Sequence, residues 1–293
     1  MVGFPPPCYA RRALVLNRAT QSLRRPESVV FMARVCALAI DPKDIVLLGS
    51  EPNGTVETGR SPGVPAWNFS LMNSPAGRAR RGGDWSDAVV ISDDAFALTI
   101  GDVTGHGEPA FGTMEIVRAS FLRGIHANAE PSEILSAANS VAYSIRGGVI
   151  VTAIVAIVNR RLRTLTFANA GHPAPLMMTP ILHGFLTHAK ADLPLGIGPA
   201  YRATSYVVAL PDDSLIVLYT DGITEHKRDS VRGERELVEA CRAAYDCPAP
   251  DLAASIARRV FQRDFVSQLQ TEAGSPVFDS RPPCFPAAVA AVI

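Results

Sequence analysis

Three short segments carry residue types that could do chemistry: Gly82-Gly83-Asp84-Trp85, Gly101-Asp102-Val103-Thr104-Gly105-His106-Gly107 and Tyr219-Thr220-Asp221-Gly222-Ile223-Thr224-Glu225. Each sets an aspartate beside glycine or next to the end of an apolar run. Side chains alternate along a strand, so Phe96, Leu98, Ile100 and Asp102 share one face, and Leu215, Val217, Tyr219 and Asp221 share another. Each carboxylate then continues the line of a buried face to the strand's mouth. An unpaired buried carboxylate is costly, so these groups should face a cation or be protonated. Neighbouring glycines let backbone approach a ligand closely. Carboxylates without a Cys/His cluster form a hard oxygen donor set, suited to Mg2+ or Mn2+ rather than Zn2+. Two such ions about 4 Å apart can turn a bridging water into a nucleophile and neutralise a phosphate. A single Asp-Gly is more often just a turn; three of them at strand ends weaken that reading.

The elements that must position these residues are legible from Trp67 onward. Ala88–Ile91, the turn Asp93-Asp94 and Ala95–Ile100 read as a hairpin. Helical spacing follows in Phe111, Met114, Val117, Phe121, Leu122 and Ile125. A second helix starts near Pro131, with Ser132 and Glu133 suited to its first turn, and stops at Gly147-Gly148. Val149–Val158 and Leu162–Ala168 form another hairpin. Val207–Leu210 and Leu215–Thr220 read as a further pair of strands, with the turn Pro211-Asp212-Asp213 between them. Helical stretches at 233–245 and 249–264 come next, then an apolar strand at Ala287–Ile293. This order lacks a regular βαβ alternation, which argues against a doubly wound parallel sheet. Val149–Val158 is apolar at every position except Thr152, so both its faces should be covered. Two antiparallel sheets stacked face to face with helices outside satisfy both observations: an α+β fold, specifically an α/β/β/α sandwich. Gly49–Pro65 is rich in loop residues. The boundary falls there, giving a partly disordered N-terminal region at 1–63 and a single domain at 64–293.

The chain has 293 residues, with 28 Lys+Arg balanced by 28 Asp+Glu. Zero net charge argues against a nucleic-acid binder and against adhesion to an anionic membrane. Five scattered cysteines without a C-x-x-C pair suggest neither a zinc ribbon nor a disulfide framework, and fit reduced thiols in a cytoplasmic protein. The longest apolar run, ten residues, is too short to span a bilayer as a helix. Arg11, Arg12, Arg18, Arg24 and Arg25 precede the first acidic residue; this segment lacks the apolar core of a secretory signal and fits a transit peptide or, the preferred reading, a disordered basic arm. No G-x-x-x-x-G-K-[ST] occurs, which disfavours a nucleotide-binding module.

Six blocks in order carry a resemblance over about Trp67 to Phe261. They are Gly82–Trp85, Gly101–Gly107, Val151-Thr152-Ala153, Ala168-Asn169-Ala170-Gly171-His172-Pro173, Leu193-Pro194-Leu195-Gly196 and Leu218–Glu225. The sequence resembles the SpoIIE/RsbU-type branch of the PP2C-like (PPM) metal-dependent protein phosphatases. The resemblance implies a serine/threonine phosphatase with the stacked-sheet fold, using two divalent cations, Mn2+ or Mg2+. By analogy Asp102 bridges the ions, Asp84 and the Val103 carbonyl complete one site, and Asp221 serves the other. Metal-activated water would attack phosphorus in line, with no phosphoenzyme. The implied partner is a phosphorylated STAS-type anti-sigma-factor antagonist in partner-switching regulation, and a homodimer is left open.

His106 and His172 have two readings each: a hydrogen bond or proton given to the phosphate, or a brace for their own glycine-rich loops, which is preferred. Arg78, Arg80 and Arg81 could draw in a phosphorylated partner or form a solvated face. Two departures from the family pattern stand out. Glu108-Pro109 follows Gly107 where small residues are usual. The family's Asp-Asp pair before the last strand is also missing, because Pro282-Pro283-Cys284-Phe285-Pro286 stands there and Asp279 is the nearest upstream carboxylate. The alternative is therefore a catalytically weak or inactive phosphatase-like domain that binds a phosphoprotein without turnover.

Overall fold

The computed structural model describes residues 47–49, 57–59, 69–74, 82–225, 228–247, 252–269 and 287–292. Val29–Ile40, apolar enough in sequence for strands or a short helix, the arginines at 78, 80 and 81, and Asp279, Phe285 and Pro286 lie outside the described residues. Two six-stranded sheets, antiparallel in every pairing, stack face to face. The first contains β1 (Leu47–Gly49), β4 (Trp85–Ser92), β5 (Ala95–Val103), β6 (Val151–Asn159), β7 (Thr164–Ala170) and β10 (Tyr206–Ala209), in that spatial order. The second runs β2 (Glu57–Gly59), β3 (Phe69–Ser74), β12 (Ala287–Val292), β11 (Leu215–Tyr219), β8 (Leu176–Met178) and β9 (His183–Phe185). Helices α1 (Gly107–His126) and α2 (Pro131–Ser144) cover the first sheet, and α3 (Ser230–Asp246) and α4 (Leu252–Leu269) cover the second. The expected α/β/β/α sandwich is therefore the fold.

Alternation assigns the layers residue by residue. In β6, Ile154, Ala156 and Val158 pack between the sheets, while Val151, Ala153 and Val155 pack under α1 and α2. That two-sided burial is the reason the strand is apolar throughout. Each buried Val or Ile side chain contributes about 1.5–3 kcal/mol. In β5, Phe96, Leu98 and Ile100 face the inter-sheet layer as their parity requires, which carries Asp102 to the mouth of that layer. The start of α2 is fixed locally by Pro131 in its first turn and by a capping box between Glu130 and Glu133.

Three expectations need correction. Val207–Leu210 and Leu215–Thr220 do form strands, but not a pair: β10 joins β7 in the first sheet, while β11 joins β8 and β12 in the second. Residues 211–214 carry the chain across the sandwich. The face shared by Leu215, Val217 and Tyr219 is buried, yet it is the outer face beneath α3 and α4; Ile216 and Leu218 point between the sheets. Finally, the boundary drawn at residue 63 cuts through the sandwich, because β1 pairs with β4 and β2 with β3.

Those two edge strands generate a prediction. Removing residues 1–44 keeps both, whereas removing residues 1–63 bares the edges of β4 and β3. An unpaired edge is a template for association. The longer truncation should melt at a lower temperature and self-associate on size-exclusion chromatography, and the shorter should do neither. Identical melting and elution of the two would show that the edge strands contribute nothing.

Candidate active site

Cross-strand register builds the first half of the site. Antiparallel pairing sets Trp85 opposite Gly101, so Asp84 and Asp102 leave adjacent strands at the same end of the sandwich. Only glycine fits at 101, since a methyl group there would lie 2.1 Å from the Trp85 ring. Gly83 plays the matching part on the other strand. Its carbonyl accepts a hydrogen bond from the Val103 N–H at 3.3 Å, and a methyl group at 83 would lie 2.5 Å from the Val103 carbonyl oxygen. The two Gly-Asp pairs thus interlock, each glycine making room for the other segment.

The second sheet supplies the rest. β11 ends at Tyr219, and a single 3-10 turn, Asp221–Ile223, follows. Continued strand alternation would have sent Asp221 under the helices with Tyr219. The turn breaks that alternation and leaves Asp221 exposed at the rim, close enough to Asp102 to feel its charge. Thr220, fully buried, donates its hydroxyl to Asp84 Oδ2 at 2.9 Å and ties the two sheets together at the site.

The electrostatics follow from this convergence. Burial pushes the Asp84 carboxyl well above its ordinary 3.8, and the Asp102 charge and a shared hydrogen bond with Asp102 push it further; the Thr220 hydroxyl acts the other way. Asp221 is raised by desolvation of its inner side, then by Asp102 and Glu225. Among the described residues no Lys or Arg pairs with any of the three carboxylates, and no three His, Cys, Asp or Glu side chains close on a single point. Asp102 is the strongest charged neighbour of both Asp84 and Asp221, and Asp221 also acts directly on Asp84. Uncompensated oxygen donors gathered in this way suit hard divalent cations.

The two histidines part company. His106 is exposed and takes the N-cap position of α1 without spending its side chain on a cap. His172 is 4% exposed, its Nδ1 is 2.9 Å from the Thr152 hydroxyl, and its backbone exchanges two hydrogen bonds with the Asn169 side chain. Its Nε2 has no well-formed bond, although the Tyr219 carbonyl is near enough to favour its proton. Burial holds the imidazole neutral, pushing its pKa down to about 3. Thr152 lies opposite Asp102 in the β5–β6 ladder, so His172 sits between the strand of Asp102 and the strand end that leads to Asp221.

Sequence reasoning missed two partners. One is Thr220. The other is Asp87, fully buried and held by Arg118 of α1. The signal for the second was present: Arg118 interrupts the apolar stripe of Met114, Val117, Phe121 and Ile125, and a cation in a buried stripe needs a counter-charge.

Comparison with known proteins agrees with this architecture. The model of the family described as stage II sporulation protein E matches residues 92–268, more than half of the chain. The chain belongs to the SpoIIE family. A curated relative of this SpoIIE-family chain is the phosphoserine phosphatase RsbU of Bacillus subtilis (strain 168), 25% identical over 142 residues, which cover 48% of this chain and 42% of that protein. Among solved structures, the RsbU and RsbW domains of a Mycobacterium tuberculosis protein align with a TM-score of 0.66 at 22% identity, over 84% of this chain and 63% of that one. The PP2C phosphatase domain of SpoIIE from Bacillus subtilis, with a fragment of its regulatory domain, aligns with a TM-score of 0.59 at 15% identity, over 85% and 69%. RsbX, solved in complex with magnesium, aligns with a TM-score of 0.56 at 12% identity, over 81% and 99%. The chain therefore spans less than two thirds of the RsbU relative and of the mycobacterial protein. At these identities the structural likeness establishes a shared PP2C-type fold.

The raised carboxyls predict a pH dependence of stability without metal. Asp84 holds its proton more tightly in the folded protein than its ordinary 3.8. Its contribution to stability is therefore present below 3.8 and lost as pH rises through the folded value. Asp84→Asn removes that loss. In chelator the variant should melt above the parent near pH 8, by roughly 2–4 °C per kcal/mol relieved, and the gap should close toward pH 4. The contribution of His172 is common to both proteins and cancels. A gap that stays constant across this range, or an Asp84→Asn protein less stable at high pH, would refute the account.

Proposed function

We propose that this chain is a metal-dependent protein phosphatase that hydrolyses phosphoserine or phosphothreonine on a regulatory protein. The observation that carries the reading is the convergence of Asp84, Asp102 and Asp221 from two facing sheets with no protein cation among the described residues to offset them. In this reading Asp84, the Val103 carbonyl and Asp102 would hold one divalent ion, and Asp102 with Asp221 would hold a second. Bound Mn2+ or Mg2+ would supply the charge that neutralises a phosphate ester and makes a water molecule nucleophilic at neutral pH.

The rest is done by the chain's own residues. Thr220 orients the Asp84 carboxylate through its 2.9 Å bond. Gly83 and Gly101 permit the close approach that sets Asp84 beside Asp102. Exposed His106, four residues beyond Asp102, is assigned to the substrate side, where it can meet a phosphorylated partner. Buried, neutral His172 is assigned the bracing role, since a group 4% exposed and uncharged cannot offer a phosphate a cationic donor. For substrate we assign a phosphorylated STAS-type anti-sigma-factor antagonist, in keeping with the SpoIIE-family membership and the likeness to an RsbU. A cytoplasmic location suits such a partner and the reduced cysteines. Among the described residues no helix is long and apolar enough to cross a membrane.

A second reading, a phosphoprotein-binding domain with little turnover, is favoured by one feature. β12 pairs with β11 in the register Tyr219 to Val289. Carrying that register on by two residues sets Ala287 level with Asp221, so Phe285 and Pro286 precede the strand where a further carboxylate would complete the second ion site. Hard-ion affinity follows the number and charge of oxygen ligands. Activity is therefore expected only at high metal concentration, with Mn2+ better than Mg2+.

Phosphate release from a phosphoserine protein decides between the readings. Release should require Mn2+ or Mg2+, vanish in excess chelator, and fall to background in Asp102→Asn. Tight binding of the phosphoprotein without release, in every metal, would establish the second reading instead. The ligand count is tested separately. Phe285→Asp should lower the Mn2+ concentration for half-maximal activity by roughly tenfold, the scale on which supporting groups alter metal affinity. An unchanged requirement in Phe285→Asp, together with lost activity in Asp279→Ala, would show that Asp279 already fills the position.

A further inference from the structure

A charged cluster on the helix side of the first sheet is left over once the site is assembled. Arg118 of α1 donates from Nε to Asp87 Oδ2 and from Nη2 to Asp87 Oδ1, both at 2.7 Å, while its Nη1 reaches Glu115 at 3.1 Å. Asp87 is 0% exposed. Thr99 of β5 donates to the same Asp87 Oδ2 at 3.5 Å and accepts from Trp85 Nε1 at 3.1 Å. The Trp85 ring packs edge-on against Phe121 of α1, with centroids 5.5 Å apart, and lies flush on Gly101. One helix thus grips both strands, and the gripped residues are sequence neighbours of the candidate ligands: Trp85 follows Asp84, and Gly101 precedes Asp102.

We infer that the Arg118–Asp87 pair is a positioning clamp, which fixes the ends of β4 and β5 against α1 so that Asp84 and Asp102 are preorganised to hold a divalent cation. This rests on the metal-site reading of Asp84, Asp102 and Asp221 given above. Stability alone does not account for the pair, because buried ion pairs are often no better than well-packed apolar residues of similar volume. What a bidentate guanidinium–carboxylate contact adds is direction. Apolar contacts under α1 tolerate sliding; two parallel hydrogen bonds do not. The connectivity makes that direction matter. α1 begins only a few residues after Asp102, and Arg118 lies about three turns into it. The path from Asp102 through α1 and the ion pair to Asp87 and Asp84 is therefore a closed mechanical loop. The β4–β5 ladder keeps the two strands paired, so opening the loop at Arg118 does not part them; it loosens how their ends are set against α1, and with that the orientation of the two carboxylates. Groups supporting a metal site typically alter affinity by 10–100-fold.

The test measures Mn2+ binding by calorimetry, apart from turnover, on the full chain. Arg118→Lys keeps the charge and loses the fork; it should bind Mn2+ roughly tenfold more weakly. Removing one partner alone strands a buried charge and can unfold the protein, so the decisive variant replaces both, Asp87→Leu with Arg118→Met. This pair should melt within a few degrees of wild type in chelator yet still bind Mn2+ roughly tenfold more weakly. Wild-type Mn2+ affinity in the folded double variant would overturn the clamp and leave the pair a purely structural contact. Wild-type protein that binds Mn2+ but releases no phosphate would count against the phosphatase reading and leave the clamp standing. Wild-type protein that binds no Mn2+ would overturn both.

Discussion

Like charges brought together must be held together. Two carboxylates 4 Å apart at an effective dielectric of 20 repel by about 4 kcal/mol, a large part of the 5–15 kcal/mol that stabilises a typical domain. Here burial and that repulsion show as a proton held more tightly on Asp84, in a hydrogen bond with Asp102, with Asp221 adding its charge from the facing sheet. Much of the local architecture can be understood as resistance to that repulsion. Asp84 and Asp102 extend from paired strands, so separating them would require breaking the β4–β5 ladder. Thr220 and His172 then tie the mouth of the sandwich across its two layers, one bonded to Asp84 and the other wedged between Thr152 and Tyr219. The repulsion has no relief from a protein cation among the described residues, so the mouth holds no internal salt bridge, and that asymmetry is what the metal-site proposal rests on.

How much of this was legible in the sequence depends on how local the cause was. The strand of Asp102 was readable because strand alternation is a property of the chain itself: Phe96, Leu98 and Ile100 face inward and take Asp102 with them. The doubly apolar Val149–Val158 gave away the two-sided burial of β6 for the same reason. The argument for Asp221 used the same rule and failed in its detail. Its strand shows its odd-numbered residues to the helices, and one 3-10 turn brings the carboxylate back to the rim. Alternation reveals that two residues share a face, but the choice between the inner and outer face is made by the neighbouring layers. The same limit explains the supposed β10–β11 pair. Short strands joined by a tight turn usually pair, but Pro211–Ser214 instead crosses between sheets whose other members are far away in sequence.

Pairings between distant segments were harder still. Thr220 to Asp84 joins residues 136 apart, and Arg118 to Asp87 joins residues 31 apart across two elements. Nothing in the local pattern around Thr220 distinguishes it from a strand-end threonine. Arg118 did stand out, as a cation in an apolar stripe, but its partner could be named only once the register of β4 was known. The edge strands are less legible for a different reason. Ile45–Leu48 is apolar enough for a strand or a short helix and overlaps β1, but β2 lies inside a segment whose composition reads as loop, and so short a strand is specified by the edge it joins rather than by its own sequence.

The two faces of β4 separate charges that would otherwise add. Asp84 and Asp87 are three residues apart, so alternation sends them to opposite sides of the sheet. Trp85, Asp87 and Val89 look toward α1, while Ala88 looks into the inter-sheet layer. A carboxylate at 87 without a counter-charge would place a fourth negative group on the far side of a single layer of backbone from the other three. Screening through the sheet is weak, because buried apolar residues cover both of its faces. The Arg118 guanidinium cancels that charge on the helix side, so Asp87 adds little to the field of Asp84, Asp102 and Asp221. α1 can then be anchored by a strong, directional contact close to the site without altering the charge the site presents. An anchor of the same strength on the inner face would put its guanidinium among the three carboxylates and cancel the negative charge gathered there.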